Sequence, residues 1–100
     1  MANQIDAFRK NATDANHDVC VIHAGDALTG TSYYSFYGPG MDAAYMNAVG
    51  FDVMVVGNHE FDDGDANLAY FTQMLNATVI SYNCEYKVCL TPGFVLILLI

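Results

Sequence analysis

The residues best equipped for chemistry stand in one short string, Gly57-Asn58-His59-Glu60-Phe61-Asp62-Asp63-Gly64, with Asp26 well upstream of it. Asp26 offers an anionic oxygen, Asn58 a neutral amide oxygen and His59 an imidazole nitrogen. That mixture of donors suits Zn²⁺, Mn²⁺ or Fe. A carboxylate can also bridge two ions, and a pair about 3.5–4 Å apart clamps a phosphoryl group and activates a water. Asp62 lies three residues after His59. A carboxylate bonded to one ring nitrogen orients an imidazole and stabilises its protonated form. A protonated imidazole beside a phosphate then stabilises charge or protonates the departing alkoxide.

Something must bring these residues together. The string directly follows the apolar run Val53-Met54-Val55-Val56, and Asp26 follows Val19-Cys20-Val21-Ile22 by a few residues. Unbroken apolar runs of this length read as parallel strands covered on both faces. The carboxyl ends of such strands are where an open α/β sheet binds its ligands. Thr78-Val79-Ile80-Ser81 reads as a third strand, ending at Tyr82-Asn83-Cys84. Between the strands the spacing turns helical. Ala2 to Asn16 places Ile5, Phe8, Ala12 and Ala15 on one face, with Asn16-His17-Asp18 as the closing loop. Thr31 to Tyr37 reads as a short helix closed by Gly38-Pro39-Gly40. Met41 to Val49 carries Met41, Ala44, Tyr45, Ala48 and Val49 as a stripe, with Gly50 as C-cap. Asp65 is placed to cap a helix whose face is Leu68, Phe71 and Leu75 and which runs to about Asn76. Helices alternating with strands imply a mainly parallel sheet with right-handed crossovers.

Composition bounds the function class. Over 100 residues, 54% are apolar and 14% charged, a globular balance for one small domain. Eleven acidic against three basic residues give a net charge of -8. No basic patch is available for nucleic acid or an anionic membrane, so nucleic-acid binding is not expected. An acidic chain that handles phosphate needs another positive charge, for which a bound metal ion qualifies. Three cysteines make no disulfide framework. Cys20 reads as a buried free thiol; Cys84 and Cys89 are able to pair, and their spacing is not a recognised zinc pattern. Met1 to Lys10 lacks the apolar core of a signal peptide. Asn11-Ala12-Thr13 and Asn76-Ala77-Thr78 fit the glycosylation acceptor pattern. Phe94 to Ile100 is an apolar run of seven residues, far short of the roughly 20 needed to span a bilayer. No complete transmembrane segment is expected, and the oligomeric state is left open.

Taken together, these motifs resemble a known family. Gly25-Asp26-x-x-x-Gly30-Thr31, Met46-Asn47-Ala48-Val49-Gly50-Phe51-Asp52, the Gly57 to Gly64 string and Ser81-Tyr82-Asn83 are similar to the calcineurin-like metallophosphoesterases, most of all their 5′-nucleotidase branch. The resemblance covers Val19 to Cys84, and Gly-Asn-His-Glu-Phe-Asp is its most specific part. It implies an α/β sandwich, here partial, and hydrolysis of a nucleotide or other phosphoester with two divalent metal ions. It implies Asp26 as the bridging metal ligand, Asn58 as a ligand of one ion, His59 as the catalytic histidine and Asp62 as its partner. It also implies a secreted, periplasmic or cell-surface setting. The family opens its site with Asp-x-His ahead of the first helix and completes it with Gly-His and Gly-His-x-His motifs. Neither occurs here, so residues 1–90 are expected to be part of a catalytic domain, and 91–100 an apolar tail. The alternative is a catalytically inactive truncated remnant, acting at most as a metal-binding or interaction module.

The other polar and aromatic residues carry blander expectations. Glu60 is read as solvated or as fixing its loop, His17 as a loop residue, and His23 as a bonded or solvated histidine. Tyr33, Tyr34 and Tyr37 are read as packing, and Asn83 is assigned no role.

Overall fold

The computed structural model describes residues 1–81. Readings that involve Asn83, Cys84, Cys89 or the tail from residue 91 lie outside the described residues. The elements are α1 (Ala2–Asp14), β1 (Ile22–His23), α2 (Ser32–Tyr37), α3 (Pro39–Val49), β2 (Val53–Val55), a 3₁₀ turn (His59–Phe61), α4 (Asp65–Met74) and β3 (Thr78–Ile80). The three strands form one parallel sheet in the order β1-β2-β3. Ile22 pairs with Val53 and His23 with Met54. Val53, Met54 and Val55 pair with Thr78, Val79 and Ile80. The parallel α/β arrangement is therefore as the alternation of patterns implies. No helix among the described residues is long and apolar enough to cross a membrane.

Local chemistry explains where each helix stops. Asn16 takes a positive φ of 60° past the end of α1, while the N–H groups of Asn16 and His17 donate to the carbonyls of Thr13 and Ala12. This closes the helix in a Schellman turn, with asparagine in the role glycine more often fills. Thr31 caps α2, its hydroxyl accepting the Tyr34 N–H at 3.1 Å. Gly38, at φ 66°, ends α2 and starts α3, with Pro39 at the first helical position. The Gly38-Pro39-Gly40 stop is thus one helix's end and the next one's beginning, and α3 starts two residues earlier than its apolar spacing implies. Gly50 closes α3 in the left-handed conformation, as expected.

The core is Leu28, Tyr34, Ala43, Met46, Met54, Leu68 and Phe71. Met54 and Phe71 are fully buried, each worth about 1.5–3 kcal/mol of transfer free energy. Two expectations need correction. On α3 the buried face is Ala43, Met46 and Val49, whereas Tyr45 of the expected stripe remains 54% exposed. The helix lies between α2 and α4, and the small Ala43 faces inward where they meet. The second concerns β1. Ile22 is 58% exposed and Cys20 is an exposed free thiol. Among the described residues β1 is an edge strand with β2 as its partner, and α1 leaves it partly uncovered, burying none of its own residues.

Polar contacts hold α1 instead. Arg9 donates to the Gly50 carbonyl at 2.8 Å and to Asp52 at 2.6 Å. The same carboxylate oxygen accepts the Val21 N–H at 2.7 Å. These bonds, the backbone one first and then Arg9, hold the Asp52 carboxyl below its ordinary value of 3.8. A depressed folded pKa contributes stability that is present above the unfolded value and is lost as pH falls through the folded one. Thermal melts are therefore expected to show an acid loss of stability setting in near 3.8 and below, and Asp52→Asn is expected to flatten it. An unchanged acid slope in that variant would discard Asp52 as a contributor.

Candidate active site at the strand ends

Asp26 follows β1 by three residues and Asn58 follows β2 by three, so parallel, adjacent strands deliver both to the same edge of the sheet. Two glycines let the loops touch. A Cβ on Gly25 would lie 2.8 Å from the Gly57 nitrogen and 3.0 Å from the Val55 carbonyl oxygen. One on Gly57 would lie 2.7 Å from the Asp26 nitrogen and closer still to its carboxylate. Gly25 also takes a φ of 97°, a region that side chains disfavour. Asp26 and Thr29 adopt positive φ, 55° and 68°, in the same loop. Such conformations persist where surrounding structure enforces them, and they cluster at functional sites.

The 3₁₀ turn sorts the side chains of the central string. With three residues per turn, positions i and i+3 eclipse, so His59 and Asp62 share an edge. His59 Nδ1 lies 2.7 Å from Asp62 Oδ2, with both side chains about half exposed. The hydrogen bond and charge of Asp62 raise the His59 pKa above its ordinary 6.5, with smaller upward contributions from Asp26 and Glu60. The Thr29 hydroxyl donates weakly to the same Asp62 oxygen, at 3.4 Å. Asp26 Oδ1 accepts the His59 backbone N–H at 3.0 Å, which joins the first loop to the second at the residue expected to do chemistry. Asn58 is exposed beside it.

Glu60, between them in sequence, turns the other way. It is 0% exposed. Its Oε2 accepts the N–H groups of Asp26 at 2.9 Å and Gly57 at 2.6 Å. Its Oε1 accepts those of Ala27 at 2.5 Å and Leu28 at 3.4 Å. Of the two expectations for Glu60, loop fixing holds and solvation does not. A partial signal was present in the sequence: Gly57-x-x-Glu60 has the spacing at which a glutamate reaches back to an N–H in a capping box. The three donors from the Asp26 loop leave no trace in sequence, because any residue but proline supplies them.

The flanks of the site are fixed as well. Tyr34 is buried, donates its hydroxyl to Asp63 and accepts from Asn67 Nδ2 at 2.8 Å, tying α2 to the start of α4. Burial and then the Asp63 bond push its pKa up to about 12. Tyr33 and Tyr37 remain exposed, so packing describes Tyr34 alone. His23 is a bonded histidine, its Nδ1 accepting the Gly25 N–H at 3.2 Å and its ring meeting Phe51 edge-on at 5.0 Å. It is committed to the loop.

The donors fit a divalent cation by type: an anionic and a neutral oxygen from two loops at one sheet edge. They fall short by number, since no group of three His, Cys, Asp or Glu among the described residues could hold a metal ion.

A calcineurin-like phosphoesterase family model matches residues 2–96. The NAD 5′-nucleotidase of Haemophilus influenzae is 48% identical over 63 residues, which are 63% of this chain and 10% of that protein. The 5′-nucleotidase of Bos taurus is 36% identical over 74 residues, 73% of this chain and 13% of its own length. Among solved structures, H. influenzae NAD nucleotidase superposes with a TM-score of 0.67 at 39% identity, covering 79% of this chain and 16% of that one. The chain therefore spans only a small part of the relatives it matches.

Proposed function

Since the chain belongs to the calcineurin-like phosphoesterases, we propose that it contributes part of a catalytic site that hydrolyses phosphoesters of the 5′-nucleotide class. The observation that carries this reading is the meeting of two strand-end loops, with Asp26 bonded to the His59 backbone and the His59 ring paired to Asp62. The names of the relatives, a NAD 5′-nucleotidase and a 5′-nucleotidase, support the substrate class.

In this reading Asp26 and Asn58 hold divalent metal ions, two in the full site and of the Zn or Mn type. The remaining donors come from outside the described residues. The metals, when bound, polarise the phosphoryl group and supply a water activated near neutral pH. The chain's own residues supply the rest. Asp62 fixes the imidazole through Nδ1 and leaves Nε2 as the ring atom that meets substrate. Its carboxylate also favours the protonated ring, so His59 brings a proton and a positive charge to the departing ribose oxygen. Glu60 holds the floor of the loops, and Gly25 and Gly57 let them approach.

The test is release of inorganic phosphate from 5′-AMP by the full-length protein. Release is expected to stop on chelation and to return with Mn²⁺ or Zn²⁺. Hydrolysis that persists in Asp26→Asn, or none with any divalent ion, would overturn the assignment.

A further inference from the structure

We propose that Glu60 is the positioning residue of this site: its buried carboxylate clamps the loop after β1 to the turn after β2, and thereby sets the Asp26 carboxylate beside Asn58 and His59. The proposal rests on reading Asp26 and Asn58 as metal donors, and its test separates the two ideas.

The geometry points specifically to a carboxylate. Each Glu60 oxygen accepts two backbone N–H groups, Asp26 and Gly57 on Oε2, Ala27 and Leu28 on Oε1. A carboxylate alone among side chains presents two equivalent acceptor oxygens with no donor. A glutamine of the same length turns an NH₂ toward one pair of N–H groups and loses both bonds. An aspartate is one methylene too short to reach the far loop from the 3₁₀ turn. Among the described residues no ion pair involves Glu60, so convergent N–H dipoles balance its charge, as they do for anions at backbone nests.

The clamp also accounts for the conformation of Asp26. The residue sits at a φ of 55°, and its nitrogen is held by Glu60 while its Oδ1 accepts from His59. Both ends of Asp26 are therefore tied to the turn that presents Asn58. With Glu60 removed, Asp26 loses the bond that opposes its return to an ordinary backbone conformation, and its carboxylate moves off the Gly57 backbone. Outer partners that orient a metal ligand in this way affect metal affinity by roughly 10–100-fold.

The experiment compares the full-length protein with its Glu60→Gln variant by amide hydrogen exchange and by Mn²⁺ titration. In the unsubstituted chain the amides of Asp26, Ala27 and Gly57 are expected to exchange slowly despite lying in loops. In Glu60→Gln they are expected to exchange about tenfold faster or more, while Val53 to Val55 keep their protection, and Mn²⁺ affinity falls by roughly 10–100-fold. The buried-core variant Met46→Ala, compared at the temperature where its folded fraction equals that of Glu60→Gln, is expected to retain both loop protection and Mn²⁺ affinity. Loop protection unchanged in Glu60→Gln, or the same affinity loss in Met46→Ala, overturns the proposal. Should Glu60→Gln fail to fold, exchange in the unsubstituted chain decides, and unprotected amides at Asp26, Ala27 and Gly57 refute the clamp. A protected loop in a chain that binds Mn²⁺ no better than its Asp26→Asn variant keeps the clamp and removes the metal reading.

Discussion

Replacing His59 by alanine in the full-length protein is expected to lower the turnover of 5′-AMP by roughly 100- to 10,000-fold, the range over which a positioned proton donor acts, with metal content nearly unchanged. Among the described residues the ring makes one side-chain bond, to Asp62, and the backbone N–H that meets Asp26 survives the substitution. The loops therefore keep their shape, and the loss falls on the chemical step. Asp62→Asn should cost less, since an amide can still accept from Nδ1 but no longer favours the protonated ring. Phosphate release under saturating substrate, with metal content measured on the same samples, checks both. Turnover equal to the unsubstituted protein would remove His59 from the mechanism.

The largest effect on stability is expected from Gly25→Ala. The three atoms nearest the new methyl are all backbone, among them the Gly57 nitrogen at 2.8 Å and the Val55 oxygen at 3.0 Å, at a φ of 97°. Strain of that conformation and overpacking each cost about 1–3 kcal/mol, and backbone cannot step aside as a flexible side chain does. A loss of roughly 3 kcal/mol or more in urea unfolding is expected. Gly64→Ala is the control. Its φ is also positive, at 82° with ψ 171°, yet among the described residues nothing lies within 4 Å of the added carbon, so it should cost the backbone strain alone, about 1–3 kcal/mol. Equal losses for the two would mean that the loops do not pack as closely as described. Because Gly25 abuts the Asp26 loop, the same variant should also weaken catalysis in the full-length protein.

The pattern of residues carried the elements further than their burial. Apolar runs located β2 and β3, Gly50 and Asn16 marked helix ends, and the face of Leu68 and Phe71 is the buried one on α4. Periodicity failed on α3, because a stripe read along one helix does not know which neighbours it will meet. Met41, Ala44, Tyr45, Ala48 and Val49 satisfy helical spacing as well as Ala43, Met46 and Val49 do; the packing of α2 and α4 chose the second set, and of the expected stripe Val49 alone is buried. It failed on β1 because an apolar run looks the same whether the strand is central or at an edge. The exposure of Cys20 and Ile22 is the consequence.

At the site the division is sharper. Residue type and spacing alone determined the donors of interest, Asp26, Asn58, His59 and Asp62, and the i, i+3 relation that lets Asp62 reach the imidazole. Side-chain chemistry is a property of residue identity, and a three-residue spacing is local, so both survive in a string of letters. Only the tertiary structure decided that Asp26 touches the His59 backbone, that Gly25 and Gly57 exist to let two loops cross, and that Glu60 is buried beneath them. Those contacts join residues more than thirty positions apart through backbone N–H groups that every residue but proline carries alike, and the parallel register of β1 and β2 brings them face to face.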